Sequence, residues 1–283
     1  MADLARPFLP LMVFVFVLGT LLRVETNLFW RAARDLKISI AFPLVMVVGY
    51  PVAFGMLCMI VTGEWELSMA VALAYASPPA SGNAAVCRML GLDPSMSLVT
   101  SLSSMLLVPL TAPLLVTFLA AELDVVIDPL ALGLKLAFLL VAAQAIAWLT
   151  RKFAFRIVQS YPFVIDGGIV CALFVFALGT MAGLQAAILS DPLWVLALVG
   201  VAYFLNALSQ VLMCLVYPGD FCQRLTMGLN AGNRNVGLLW SVLGASLSPG
   251  MALFFACSQI PIHTMPKILQ YLMPILERRL KKT

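Results

Sequence analysis

The hydrophobic pattern of the chain is a series of long apolar runs separated by short polar segments. A helix needs about 20 mostly apolar residues to cross a bilayer, and nine runs approach this length. They cover residues 7–24, 38–61, 67–90, 95–121, 129–149, 163–189, 192–217, 221–243 and 247–273. Apolar residues make up 63% of the sequence and charged residues only 11%, against about 45–50% and 25% in soluble domains. The pattern predicts an all-α integral membrane protein with nine transmembrane helices.

Basic residues are concentrated in alternate segments between the predicted helices. If the N-terminus lies outside, the cytoplasmic segments hold fourteen Lys and Arg residues and the outer segments hold only Arg6. The cytoplasmic residues are Arg23, Arg31, Arg34, Lys37, Arg88, Arg151, Lys152, Arg156, Arg224, Lys267, Arg278, Arg279, Lys281 and Lys282. Because Lys and Arg mark cytoplasmic loops, we expect an outside N-terminus and a cytoplasmic C-terminus with a basic tail over 274–283. With no transit-like leader recognised, the expected location is the inner (plasma) membrane.

Two short sequence motifs occur twice in the chain. "VFVLGT" at Val15 returns as "VFALGT" at Val175, and "SGNAAV" at Ser81 returns as "AGNRNV" at Ala231. The copies lie in predicted helices of opposite direction, which indicates an inverted-topology repeat. The first repeat covers about 7–121 and the second about 163–273, with a connecting helix at about 129–149, all within one membrane unit. Inverted repeats are typical of secondary transporters, whose substrate site lies between the repeats near the bilayer midplane.

The second repeated motif also carries helix-breaking residues. Pro78 and Pro79 fall in the middle of a predicted span, where proline removes a backbone donor and disrupts the helix. Gly82 follows, and the second copy has Gly232 within it and Gly228 just before it. In a bilayer, unwound backbone is tolerated only where it is buried in protein or lines a wet cavity. We therefore expect two broken helices that meet at a polar cavity.

Polar side chains at these breaks are the candidate substrate-binding residues. They are Ser81, Asn83, Asn233, Arg234 and Asn235. Polar groups at the midplane are costly and usually functional, although an asparagine such as Asn206 can also serve only to bridge helices. For Arg234 two roles stay open: it holds the helices together through freed carbonyls, or it binds a substrate carboxylate.

The chain resembles the bile acid:sodium symporter family over essentially its full length. The resemblance is carried by "LGTLLRVETNLFWRAARDLKI", "SPPASGNAAVCRML", "SMSLVTSLSSMLLVPLTAPLL" and "GLNAGNRNVGLL". It implies a core domain that contains two crossed broken helices, a separate panel domain, and sodium-driven uptake of organic anions. The nine predicted helices correspond to members of the family that lack the first of ten helices.

The resemblance also implies ligands for sodium, the one possible cofactor. They map onto Asn83, Ser97, Ser101 and Asn230, and a shift of one residue would bring Thr100 into play. Asn230 stands where the family has a glutamate, and Arg234 where it has a glutamine. Because hard cations prefer anionic oxygen ligands, we expect one weak sodium site and loss of the second. Sodium coupling should be weakened or lost.

Three functions are compatible with the sequence. The first is a secondary transporter of small or amphipathic organic anions. The second is an efflux carrier related to the auxin-efflux or arsenite carriers, and the third is a non-transporting membrane sensor. An enzyme is not expected, because the chain has a single histidine and no nucleophile paired with a base. The expected partners are the substrate and the bilayer, with no nucleic acid, since the basic residues follow the membrane loops.

Overall fold

The computed structural model describes residues 6–22, 33–119, 127–181 and 183–280. Over these residues the chain is almost entirely helical and contains no β-strand, which confirms the all-α class. Predictions that concern residues 23–32, 120–126 and 281–283 lie outside the described residues. They include the basic residues Arg23, Arg31, Lys281 and Lys282 and the ends of the first and fourth apolar runs.

Twelve helices make up the described chain. They are α1 (Leu9–Leu22), α2 (Lys37–Thr62), α3 (Trp65–Ala76), α4 (Asn83–Leu90), α5 (Pro94–Leu119), α6 (Pro129–Ser160), α7 (Pro162–Thr180), α8 (Leu184–Ser190), α9 (Pro192–Val216), α10 (Phe221–Gly232), α11 (Val236–Leu243) and α12 (Pro249–Leu280). Two stretches of α2 are π-helical, Lys37–Ala41 and Val45–Gly49.

Within the described ranges, five helical stretches are long and apolar enough to cross a membrane. They are α2, α5, α6, the stretch Phe163–Ser190 that holds α7 and α8, and α9, while α1 and α3 are shorter apolar helices. Large apolar side chains point outward from these helices, and Phe138 on α6 is 76% exposed. Such a surface requires lipid or protein to cover it. The chain is therefore compatible with an all-α membrane protein.

Two of the predicted spans are interrupted, as the prolines and glycines indicate. The third predicted span divides into α3 and α4. The segment between them, residues 77–82, contains Pro78 and Pro79. The eighth divides into α10 and α11, separated by residues 233–235. The two unwound segments lie side by side and form a short antiparallel bridge between Pro79 and Arg234.

Two helices extend beyond the predicted spans. Helical structure continues past 149 to Ser160, but Ala154 has non-helical backbone angles (φ −125°, ψ 28°) and marks a kink within α6. Helix α12 continues to Leu280, so the predicted tail is helical from 274 to Leu280. Lys and Arg are good helix formers, so the basic residues end the apolar run without ending the helix. The run 163–189 divides at Gly183, whose φ of +84° is left-handed and ends helical continuity.

Two groups of helices surround the unwound segments. Helix α1 packs on α6 and α7, whereas α9 packs on α10 and α12, and α3 packs on α2 and α12. Between the groups, α11 contacts both α1 and α6, and α5 contacts α6. The phenyl rings of Phe16 on α1 and Phe176 on α7 meet edge to face with centroids 5.9 Å apart. The unwound segments thus lie at the junction between the two groups.

Candidate functional site

A large cavity lies where the unwound segments meet. Its volume is about 1320 Å³. All five residues predicted to bind substrate line it, namely Ser81, Asn83, Asn233, Arg234 and Asn235. The sequence motifs thus identify the polar end of this cavity.

Main-chain hydrogen bonds hold the polar end of the cavity together. The Ala80 amide donates to the Asn233 carbonyl over 2.8 Å, and the Asn235 amide donates to the Pro78 carbonyl over 2.7 Å. The side-chain amide of Asn235 donates to Ser81 Oγ over 3.2 Å. These bonds satisfy backbone groups that the breaks release, as burial requires.

The remaining walls come mainly from α1, α6 and α7, with smaller parts from α5 and α12, and are mostly apolar. They include Phe16, Trp148, Phe155, Ile169, Leu173 and Phe176. The cavity extends to Arg88 in the last turn of α4 and to Arg151 and Lys152 on α6, the side that the charge pattern predicts to be cytoplasmic. Phe16 and Phe176 lie in the two copies of the first repeated motif, at Val15 and Val175. That motif indicated the repeat but did not identify these side chains as part of a cavity, and the basic cluster after the fifth apolar run indicated orientation alone.

The N-termini of two half-helices border the cavity. The first residues of α4, Asn83 and Ala84, and those of α11, Val236 and Gly237, all line it. The first amides of a helix have no partner within the helix, and the helix dipole places partial positive charge there. The cavity therefore has a polar end that favours an anionic group.

The C-termini of the other two half-helices are occupied by protein donors. Arg234 Nη2 donates to the Tyr75 carbonyl near the end of α3 over 2.6 Å. Asn206 Nδ2 donates to the Gly232 carbonyl at the end of α10 over 2.9 Å. One carbonyl at each of these ends, where the helix dipole places partial negative charge, is thus paired with a protein donor.

Arg234 is a buried cation held by carbonyl groups. Its side chain is 3% exposed, and its Nη2 also donates to the Met46 carbonyl in α2 over 2.8 Å. In the described part of the chain, Nε and Nη1 have no hydrogen-bond partner. Of the two roles that the sequence left open, this geometry favours the one in which Arg234 joins helices through freed carbonyls.

The four predicted sodium ligands lie together, with Asn83 at the cavity wall and Ser97, Ser101 and Asn230 behind it. Asn230 Oδ1 accepts hydrogen bonds from Ser97 Oγ over 2.7 Å and from Asn83 Nδ2 over 3.1 Å. Ser101 Oγ donates to the Ser97 carbonyl over 2.9 Å. Thr100, the alternative ligand, donates to the Met96 carbonyl over 2.9 Å.

This cluster is neutral and its members satisfy one another. A sodium ion would need oxygen ligands in its first shell, whereas the Asn83 amide directs a donor at the central oxygen of Asn230. The same amide donates to the Asn233 carbonyl over 3.1 Å. The residues therefore fit a sodium ion only after Asn83 and Ser97 give up their present hydrogen bonds.

Other polar residues near the junction lie outside the repeated sequence motifs. Gln210 Nε2 donates to Asn206 Oδ1 over 2.6 Å and fixes the amide that caps α10. Asn206 thus bridges α9 and α10, the structural role that the sequence left open for it. Gln259 and His263 on α12 line the cavity, and nothing in their sequence context distinguishes them from core residues.

Comparison with known proteins assigns neither a family nor a function to this chain. No protein-family model matches the sequence, and no curated protein matches it. The functional argument therefore depends on the cavity and on the residues that border it.

Proposed function

We propose that this chain is a secondary transporter of amphipathic organic anions, with nine membrane spans in two inverted repeats and an outside N-terminus. The observation that carries the proposal is the cavity that both half-helix N-termini border. Half-helix N-termini that point at anionic groups are a recurrent feature of transporter substrate sites. The resemblance to the bile acid:sodium symporter family leads to the same proposal.

The dimensions and lining of the cavity favour an amphipathic substrate over a small carboxylate. Its volume of about 1320 Å³ exceeds the roughly 300–1000 Å³ that is usual for small-molecule pockets. Aromatic and aliphatic side chains from α1, α6 and α7 suit an apolar body, while the asparagines and half-helix N-termini suit an acidic end. The neutral oxygen cluster around Asn230 supports weak or absent sodium coupling.

A ligand series tests the substrate class. Purified protein in detergent is heated with acetate, benzoate, 2-naphthoate or cholate, each compared with its neutral amide. A ligand that binds the folded state raises the apparent unfolding temperature by mass action. We expect the shift to grow along the series of acids and to be absent with the amides. Equal shifts for acids and amides would contradict anion recognition.

Variants locate the binding site. Asn235→Ala should retain the unfolding temperature of the free protein within a few degrees and lose most of the acid-dependent shift, because Asn235 faces the cavity beside the α11 N-terminus. Lys135→Ala, which removes a charge from the exposed surface of α6, is the control and should keep the shift. If Asn235→Ala binds the acids as the unmodified protein does, the site lies elsewhere.

Flux separates transport from sensing and uptake from efflux. Proteoliposomes that contain the protein should accumulate the acid that gives the largest thermal shift, whereas a sensor would bind it without flux. The response to a gradient imposed from each side distinguishes import from export, the alternative in which the chain is an efflux carrier.

A further inference from the structure

The Met46 carbonyl in α2 lacks a main-chain donor. In an α-helix this carbonyl would accept from the amide of residue 50, but in the π-helical stretch the Tyr50 amide donates to the Val45 carbonyl instead. In that register the next donor would come from residue 51, which is proline and has no amide hydrogen. The π-helical stretch and Pro51 together release the Met46 carbonyl.

The Tyr75 carbonyl in α3 is released in a similar way. Its donor in a continuous helix would be the amide of residue 79, and residue 79 is also proline. Helix α3 ends at Ala76, and the chain then extends beside Arg234. Pro51 in α2 and Pro79 in the unwound segment after α3 therefore leave two carbonyl oxygens without main-chain donors in the same buried region.

One nitrogen of Arg234 bonds to both carbonyls. Nη2 lies 2.8 Å from Met46 O and 2.6 Å from Tyr75 O. A guanidinium is always charged in proteins and has no acceptor of its own. Carbonyl oxygens freed at unwound helices are also the groups with which transporters hold small monovalent cations. The side chain thus occupies a cation site made of proline-released carbonyls.

We propose that Arg234 is a tethered cation in this carbonyl site, and that removal of its side chain leaves a site for a free small cation. Under the proposed transport function, the unmodified protein then needs no dissociable cation here to keep α2, α3 and the unwound segments together. The proposed cation site itself does not require that the chain transports anything.

Chemical rescue tests the site. The thermal unfolding of Arg234→Ala is measured in detergent with guanidinium chloride, sodium chloride or choline chloride at equal ionic strength, well below denaturing concentrations. We expect Arg234→Ala to unfold at a lower temperature than the unmodified protein. Guanidinium should restore a large part of the lost unfolding temperature, and sodium should restore a smaller part. Choline, too large for the site, should recover none.

Two controls define the effect. The unmodified protein should not be stabilised by guanidinium, because its site is filled. Arg224→Ala removes an exposed arginine from α10, the helix that precedes Arg234 in the chain. The Nε of Arg224 donates to the Gly219 carbonyl over 2.8 Å. It should show no guanidinium response. Equal behaviour of guanidinium and choline on Arg234→Ala would overturn the proposal.

A second set of variants tests the carbonyl site if Arg234→Ala does not fold. Arg234→Lys keeps a charge but loses the planar fork, so it should serve the two carbonyls less well. Pro51→Ala supplies a main-chain amide beside the Met46 carbonyl. We expect Pro51→Ala to raise the unfolding temperature more in the Arg234→Lys background than in the unmodified protein, the sign of a coupled pair. The same gain in both backgrounds would refute the carbonyl site.

These measurements need no substrate. If guanidinium does not rescue Arg234→Ala, the proposal that Arg234 is a tethered cation is refuted, and the proposed transport function is unaffected. Absence of acid-dependent shifts or flux would instead overturn the transport function and leave the cation site to be judged on its own result.

Discussion

The contact between α9 and α10 depends on the absence of a side chain at Gly228. A Cβ added there would lie 2.5 Å from Cys214 Sγ and 2.9 Å from the Gln210 carbonyl oxygen, which belongs to the backbone of α9. Gly232 lies four residues further on and makes a similar approach. Small residues at this spacing allow close packing of membrane helices.

Gly228→Ala has two opposing effects on the free energy of unfolding. Alanine in a helix interior is favoured over glycine by about 0.8–1.0 kcal/mol. Overpacking of a well-packed contact costs about 1–3 kcal/mol, and here the cost lies at the upper end because the Gln210 carbonyl cannot rotate away. The net expectation is destabilisation by about 1–2 kcal/mol.

Gly200→Ala is the matched control. Gly200 lies in the interior of α9, and no atom lies within 4 Å of its added Cβ. It should therefore show the propensity gain alone, about 1 kcal/mol of stabilisation. The difference between the two variants isolates the clash, at about 1–3 kcal/mol.

Unfolding by sodium dodecyl sulfate in mixed micelles, followed by tryptophan fluorescence, measures both variants. Gly228→Ala should also weaken acid binding, since moving α10 away from α9 stretches the bond from Asn206 to the Gly232 carbonyl. If Gly228→Ala proves as stable as Gly200→Ala, α9 and α10 do not pack closely at Gly228. The close approach of these helices then cannot be what positions the Gly232 carbonyl at the junction.

Two further predictions concern the buried hydroxyl and amide groups. Ser104 Oγ is buried and has no hydrogen-bond partner among the residues that the structure describes, so Ser104→Ala should be neutral or stabilising by up to about 1 kcal/mol. Ser97→Ala should be destabilising by about 1 kcal/mol, because the Ser97 Oγ donates to Asn230. The opposite order in an unfolding titration would contradict the hydrogen-bond assignment. Asn230→Asp places a carboxylate at the centre of the neutral cluster and should produce sodium-dependent thermal stabilisation that choline does not reproduce. An identical response to both salts would show that the cluster does not hold sodium even with a charge.

The broken helices were predictable because their causes are local. Pro78 and Pro79 disrupt a helix whatever surrounds them. The second break contains no proline and was predicted only from the repeat of the Gly-Asn motif, with Gly232 at its start. The five cavity residues followed from these breaks, since unwound backbone in a membrane requires a polar environment.

The partners of Arg234 were not predictable in the same way. The sequence indicated that a buried arginine needs acceptors, but the Met46 carbonyl becomes available through a π-helical stretch, which has no reliable sequence signature. The apolar walls of the cavity from α1, α6 and α7 depend on tertiary packing between distant segments. The predicted span ends at 149 because hydropathy reports contact with lipid, whereas helical structure depends on backbone propensity and continues past the apolar run, with a kink at Ala154.

The link between Arg234 and the two prolines constrains how this sequence can change. A chain with Pro51 and Pro79 but no arginine would bury two unpaired carbonyls, and a chain with the arginine but neither proline would bury a charge with no acceptors. Substitutions at these three positions are therefore contingent on one another. A substitution at one of these positions would be tolerated only after a compensating substitution at another, or while a dissolved cation fills the site left by the arginine.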